Sequence, residues 1–169
     1  KFIKNTFFLA SSTLLPLRVL AEKAIRRKLD IALQMYSFAP LVMQGKFNIL
    51  DFPELTRKTY GISGAEYWSI PFMGKENDKG FLKDLSMKSK DNKVKNLIIL
   101  VDNIDINTME SGPSLASSKK SDRESAMDYH KQWIDIAKSI QCHSIRVNLR
   151  SNQEDNQKIL DNSSESLAR

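Results

Sequence analysis

The sequence predicts an α/β fold built on a parallel sheet of about four β/α units, the N-terminal half of a (β/α)8 TIM barrel, truncated before its second half. Three observations lead there. From residue 30 onward short apolar runs alternate with longer segments of helical periodicity, the order of a parallel sheet with crossover helices. One run, Leu97-Ile98-Ile99-Leu100-Val101, is apolar throughout, as expected of a parallel strand covered by helices. The four units occupy about 140 residues, the pace of a barrel that closes at roughly 250. A complete doubly wound sheet is the alternative, but no Gly-rich phosphate loop follows the first run.

Taken in order, strand one is expected over Asp30–Phe38 and helix one over Phe52–Tyr60, with a loop containing Gly45 between them. Strand two covers Ile62–Trp68, entered through Gly61, and a helix runs from about Lys79 to Asn92. Strand three is Asn96–Asp102. The polar segment Asn103–Lys120, with Ser-Gly-Pro at 111–113, reads as a long loop at that strand's C-terminal end. Ser121 or Asp122 then caps a helix to Ile140, whose Ala126, Tyr129, Trp133, Ile136, Ala137 and Ile140 recur at spacings of three and four. Strand four is Ser144–Leu149, and Gln153–Arg169 begins the next helix.

The first 28 residues differ from the rest. Lys1 and Lys4 precede the apolar run Thr6–Leu15, and Val19-Leu20-Ala21 supplies small residues at the spacing a signal peptidase accepts. The division expected is therefore a leader over 1–28 and a partial barrel over 29–169, with a periplasmic or secreted product. The apolar run is shorter than the roughly 20 residues a bilayer span needs, so a stable membrane anchor is not expected. Lys1-Phe2-Ile3-Lys4 resembles the tail of a twin-arginine export motif, which implies a protein folded before it crosses the membrane. The chain opens without Met and closes on Ser166-Leu167-Ala168-Arg169 inside a helical pattern, so a fragment is expected.

The net charge of +6 belongs to the leader: residues 1–28 carry seven Lys/Arg and one Glu, leaving nineteen residues of each sign in 29–169. A balanced body with interleaved charges lacks the clustered basic face of a phosphate-tracking surface, so nucleic acid is not an expected partner. The single Cys142 excludes an internal disulfide and a multi-cysteine zinc site, and its place ahead of an apolar strand is that of a small buried hydrophobe.

A set of short motifs then narrows the reading. Gln34-Met35-Tyr36-Ser37-Phe38, Leu50-Asp51-Phe52-Pro53, Tyr60-Gly61-Ile62 leading to Ala65-Glu66-Tyr67, Val101-Asp102, and Trp133–Lys138 running into Ser144–Asn148 follow one another on the expected elements. Together they resemble the sugar phosphate isomerase/epimerase family with its xylose isomerase-like barrel, over about residues 30 to 169. The resemblance implies an isomerase or epimerase acting on a small-molecule sugar or polyol, and a homo-oligomer is compatible with it. It also implies a divalent metal (Mn, Mg, Co or Zn) whose ligands come from later strands, none of them in this chain.

The residues themselves supply a candidate site. Alternation along strands puts Gly64, Glu66 and Trp68 on one face, Leu100 and Asp102 on another, and Ser144, Arg146 and Asn148 on a third. Charged residues on such strands need partners, so Glu66 and Arg146 are expected to point into the barrel, where the structural alternative makes them an ion pair. Chemistry in barrel enzymes sits at the C-terminal strand ends, which makes Tyr36, Glu66, Trp68, Asp102 and Asn148 the candidate substrate-binding residues; no catalytic residue is assigned. His130, within a helix, and His143, at the start of strand four, are not expected to serve as ligands. Two other readings compete: a barrel nuclease resembling AP endonucleases, disfavoured by charge and by the absence of early-strand histidines, and a non-catalytic sugar-binding barrel.

Overall fold

The computed structural model describes residues 30–151 and 155–169, so the expected leader lies outside the described residues. Four strands form one sheet: β1 (Ala32–Gln34), β2 (Gly64–Trp68), β3 (Lys95–Leu100) and β4 (Ser144–Arg146), all parallel and in sequence order. Such an order, each strand joined to the next through helical crossovers on the outside, is that of a partial (β/α)8 barrel.

β1 is shorter than expected. Met35–Phe38 leaves the sheet as a 3₁₀ turn, with the Met35 side chain fully buried in the core. Where a loop was expected, α1 (Ala39–Met43) starts on Pro40, whose missing N–H and fixed φ suit a first helical turn, and it is closed by Gly45 at φ +65°. The expected first helix is a composite: a 3₁₀ turn at Ile49–Asp51, then α2 (Phe52–Glu54), then a π-helical stretch over Leu55–Thr59. Thr56 Oγ1 donates back to the Phe52 carbonyl at 2.7 Å, a contact that competes with regular helical pairing.

α3 (Lys79–Asp91) is capped by Asp78, whose carboxylate accepts from Phe81 N at 3.0 Å. α4 (Lys120–Ser139) begins at least two residues earlier than expected and has Lys119 rather than Ser121 or Asp122 at its N-cap. Asp122 instead accepts from Ser117 Oγ at 3.0 Å, and Ser117 Oγ accepts from Lys119 N at 3.2 Å, so the polar cap is displaced into the preceding loop. β4 stops at Arg146, three residues short of expectation, because its partner strand ends at Leu100. α5 (Asn156–Leu167) is capped by Asp155. None of the helices among the described residues is long and apolar enough to cross a membrane.

The core lies between the sheet and its helices. An aromatic chain threads it, with ring centroids 5.5 Å apart for Phe52 and Tyr67, 6.1 Å for Tyr67 and Phe72, and 5.6 Å for Phe72 and Trp133. Tyr67 buries its hydroxyl among Ser89 Oγ and Asn96 Oδ1, and that burial raises its pKa. Cys142 packs against the same core, and burial pushes its thiol up to about 12, in keeping with a small hydrophobe.

A bulge between β2 and β3 sets what faces the barrel interior. Ala65 pairs with Asn96 but Glu66 pairs with Ile98, so β3 fits an extra residue at Leu97. Both Asn96 and Ile99 thereby turn to the helix side, while Ile98, Leu100 and Asp102 share the inner face with Glu66 and Trp68. At the narrow end of this face Gly64 is hemmed in: a Cβ would sit 3.0 Å from Leu97 Cδ1 and 3.2 Å from Ala32 Cβ.

Candidate functional site

The C-terminal ends of β2, β3 and β4 bring four of the five sequence-predicted residues into one connected cluster centred on Asp102. Trp68 Nε1 donates to Asp102 Oδ2 at 2.8 Å, and Asn148 Nδ2 donates to Asp102 Oδ1 at 2.7 Å. Arg146 reaches the same Oδ1 through Nη2 at 3.5 Å and donates from Nη1 to Asn148 Oδ1. The Tyr36 ring meets Trp68 edge to face, centroids 5.0 Å apart. Tyr36 is otherwise exposed, so it forms the rim while Trp68 forms the wall.

The backbone of Asp102 is held as firmly as its side chain. Its N–H donates to Ser69 Oγ at 3.0 Å, and its carbonyl accepts from Tyr129 Oη at 3.2 Å. Burial raises the Tyr129 phenol above its ordinary pKa, so Tyr129 stays a hydrogen-bond donor. Ser69 and Tyr129 were not among the sequence candidates; one follows the strand and the other lies on a helix face, and only the tertiary fold joins them.

Glu66, the fifth candidate, sits one inward-facing position below Trp68 and belongs to a different pair. Gln34 Nε2 donates to Glu66 Oε2 at 3.1 Å. The ion pair between Glu66 and Arg146 weighed from sequence does not form, since Arg146 stands level with Leu100 and Trp68 rather than with Glu66. This separates the two carboxylates chemically. Asp102 has both oxygens engaged by three donor side chains and serves as an anchor. Glu66 Oε1 takes no hydrogen bond from the described residues.

Arg146 keeps one further donor in reserve: its Nε is buried and makes no hydrogen bond. His130, set aside in the sequence reading, is 8% exposed and borders a pocket that Asn148 also lines. Its spacing from Ala126 and Trp133 placed it on the buried stripe of α4, a signal the sequence did contain. His143 hydrogen-bonds through its backbone to Leu97 at the opposite end of the strands. Among the described residues no three His, Cys, Asp or Glu side chains gather into a metal-holding group. The divalent metal that the family resemblance implies therefore has no ligand set among the described residues.

Parallel strands in sequence order with helices outside define part of a (β/α)8 barrel, with the polar cluster around Asp102 at the C-terminal strand ends. Solved structures agree. The chain is similar to a protein assigned as a xylose isomerase from Rhodospirillum rubrum, with a TM-score of 0.58 and 8% identity, covering 83% of this chain and 46% of that one. It is also similar to an AP endonuclease of family 2 from Brucella melitensis, with a TM-score of 0.50 and 13% identity, covering 72% of this chain and 43% of that one. The chain thus spans a little under half the length of these solved structures. No family model matches the sequence, and no curated protein does. At such identities the likeness concerns the fold alone, that of part of a (β/α)8 barrel.

Proposed function

We propose that this chain forms the substrate-facing part of a sugar isomerase or epimerase barrel, with Glu66 and Asn148 meeting substrate hydroxyls and Trp68 and Tyr36 packing on its carbon face. The observation that carries this is the division of labour between the two carboxylates: Asp102 saturated and rigid, Glu66 with an oxygen to spare. A fixed aromatic wall beside oriented amide and carboxylate groups suits a neutral polyhydroxylated ligand. In this reading the divalent metal and the proton-transferring groups belong to strands beyond β4.

The test is a two-readout comparison in a barrel that carries all eight strands. Glu66→Gln is expected to lower ketose epimerisation at least tenfold while Mn²⁺ affinity, by calorimetry, stays within about twofold, because the lost interaction is with substrate. Unchanged turnover would remove Glu66 from the site. The AP endonuclease likeness favours a second reading, action on damaged DNA. The balanced charge of residues 29–169 supplies little to hold a phosphate backbone, so the sugar reading stands first.

Export is part of the same proposal and rests on the Lys-flanked apolar run. The mature protein is expected to begin near Glu22 by N-terminal sequencing; a mature chain that retains Phe7 and Phe8 would refute export by cleavage.

A further inference from the structure

His130 belongs to no step proposed above, yet its surroundings are those of a built site. Nδ1 lies 2.7 Å from the Ala126 carbonyl, one turn back on α4. A carbonyl only accepts, so Nδ1 carries the hydrogen, and in the neutral ring Nε2 is left with a lone pair. No described residue hydrogen-bonds to Nε2. With the Nδ1 edge turned to its own helix, Nε2 is the polar ring atom available to the pocket that His130 borders. That pocket holds about 30 Å³ and is also lined by Asn103, Gly112, Ser114, Asn148 and Arg150. Its volume suits one water molecule or one hydroxyl group.

The walls are fixed from both sides. Asn103 Nδ2 donates to the Pro113 carbonyl at 2.9 Å, and Gly112 N donates to the Asn103 carbonyl at 2.9 Å. A Cβ at Gly112 would overlap the Asn103 side chain, 2.7 Å from its Cγ, and would push that amide aside. Arg150 Nη1 donates to Ser111 Oγ at 2.9 Å, and Ser114 Oγ donates to the Arg150 carbonyl, which latches the segment after β4 onto the loop after β3. Asn148 is held by Asp102 and Arg146, so its amide is oriented before any ligand arrives. Leu115, Ala126, Met127 and Val147 form a small apolar cluster that seats the same loop on α4 and β4.

Outside the pocket lies a larger cleft of about 470 Å³ that shares Ser111, Gly112, Pro113, Ser114 and Arg150 with it and adds Ser117, Ser118 and Asp122. This is the size of a small-molecule site. One cation, one anion and several serine hydroxyls favour a neutral, hydroxyl-rich ligand over an anion.

We infer that the His130 pocket is a hydroxyl subsite: a polyol or monosaccharide sits in the serine-lined cleft and donates one hydroxyl to His130 Nε2 beside Asn148. The inference rests on the sugar reading above and adds to it a positioning contact outside the Asp102 cluster. It takes the ligand further toward the β3 and β4 loops than the strand-end residues alone would.

The chain has only two histidines, His130 and His143, which gives the experiment an internal control. In the 169-residue chain labelled with ¹⁵N-histidine, xylitol and xylose are titrated while the ring nitrogens are followed by NMR. The His130 Nε2 resonance is expected to move saturably and His143 to stay still. His130→Phe, which keeps the ring volume without the acceptor, is expected to weaken xylitol binding about tenfold, and His130→Gln, which offers an acceptor again, by no more than about threefold. Saturable sugar binding with a silent His130 would overturn the subsite and leave the sugar reading intact. Absence of xylitol and xylose binding altogether would overturn the subsite. A larger Nε2 shift with inorganic phosphate than with xylitol would overturn the assigned ligand class. The resonance titration needs no variant, so a misfolded His130→Phe chain leaves the decision with the unaltered protein.

Discussion

Asp102→Asn is expected to destabilise the chain by about 2 kcal/mol and, in a complete barrel, to cut turnover about a hundredfold. The substitution preserves shape but exchanges one carboxylate oxygen for an amide NH₂. Whichever way the amide turns, that new donor faces another donor: the Trp68 indole N–H at the Oδ2 side, or Asn148 and Arg146 at the Oδ1 side. The side chain is only 12% exposed, so water compensates poorly. Arg146, at 40%, can rehydrate, which is why the expected loss stays below that of a fully buried ion pair. The larger effect is on geometry, because Trp68 and Asn148 lose the group that aims them. Urea unfolding measures the first effect and steady-state kinetics the second. A midpoint equal to that of the parent chain, with turnover preserved, would mean that Asp102 anchors nothing.

How much of this the sequence disclosed depends on the kind of information required. β2 and β3 were legible because their apolar runs are covered on the helix side and bounded by Gly61 and by the polar loop after Asp102. The helix carrying Trp133 was legible from its spacing alone. The inward faces were legible too, since alternation put Glu66, Trp68, Asp102, Arg146 and Asn148 on the correct side.

Height along the barrel was not legible. Whether Arg146 meets Glu66 or Asp102 depends on register, and the register carries a bulge at Leu97 that no local pattern announces. Glu66 pairs across to Ile98 and on to Ser144, whereas Arg146 pairs with Leu100 and so with Trp68. Arg146 thus stands two residues above Glu66 in the ladder, beside Asp102, and Glu66 meets Gln34 instead. The end of β1 was misread for a similar reason. Asp30–Phe38 reads as a strand, but full burial of Met35 in the core is reached by a turn of the chain at that residue, a tertiary demand that overrides local pattern.

Phe72→Ala is expected to produce the largest loss of stability in the chain, about 4 kcal/mol, with a fall in melting temperature of about 10 °C. Phe72 follows β2 in a short 3₁₀ turn, Ile70–Phe72, and its side chain has no solvent exposure. Its ring is where three aromatic contacts meet: Tyr67 on β2 at 6.1 Å, Phe81 on α3 at 6.0 Å, and Trp133 on α4 at 5.6 Å, the last two edge to face at 86° and 90°. Removing it opens a cavity bordered by a strand and by two helices, none of which can move in without losing its other contacts. Phe72→Leu, which refills part of that volume, is expected to cost about 1.5 kcal/mol. Because Trp68 lies four residues earlier on the adjoining strand, the loss should also loosen the wall of the candidate site. Thermal melting by circular dichroism and urea titration together measure the effect. A Phe72→Ala chain within 1 kcal/mol of its parent would show that the aromatic chain through Tyr67, Phe72 and Trp133 does not hold the helices to the sheet.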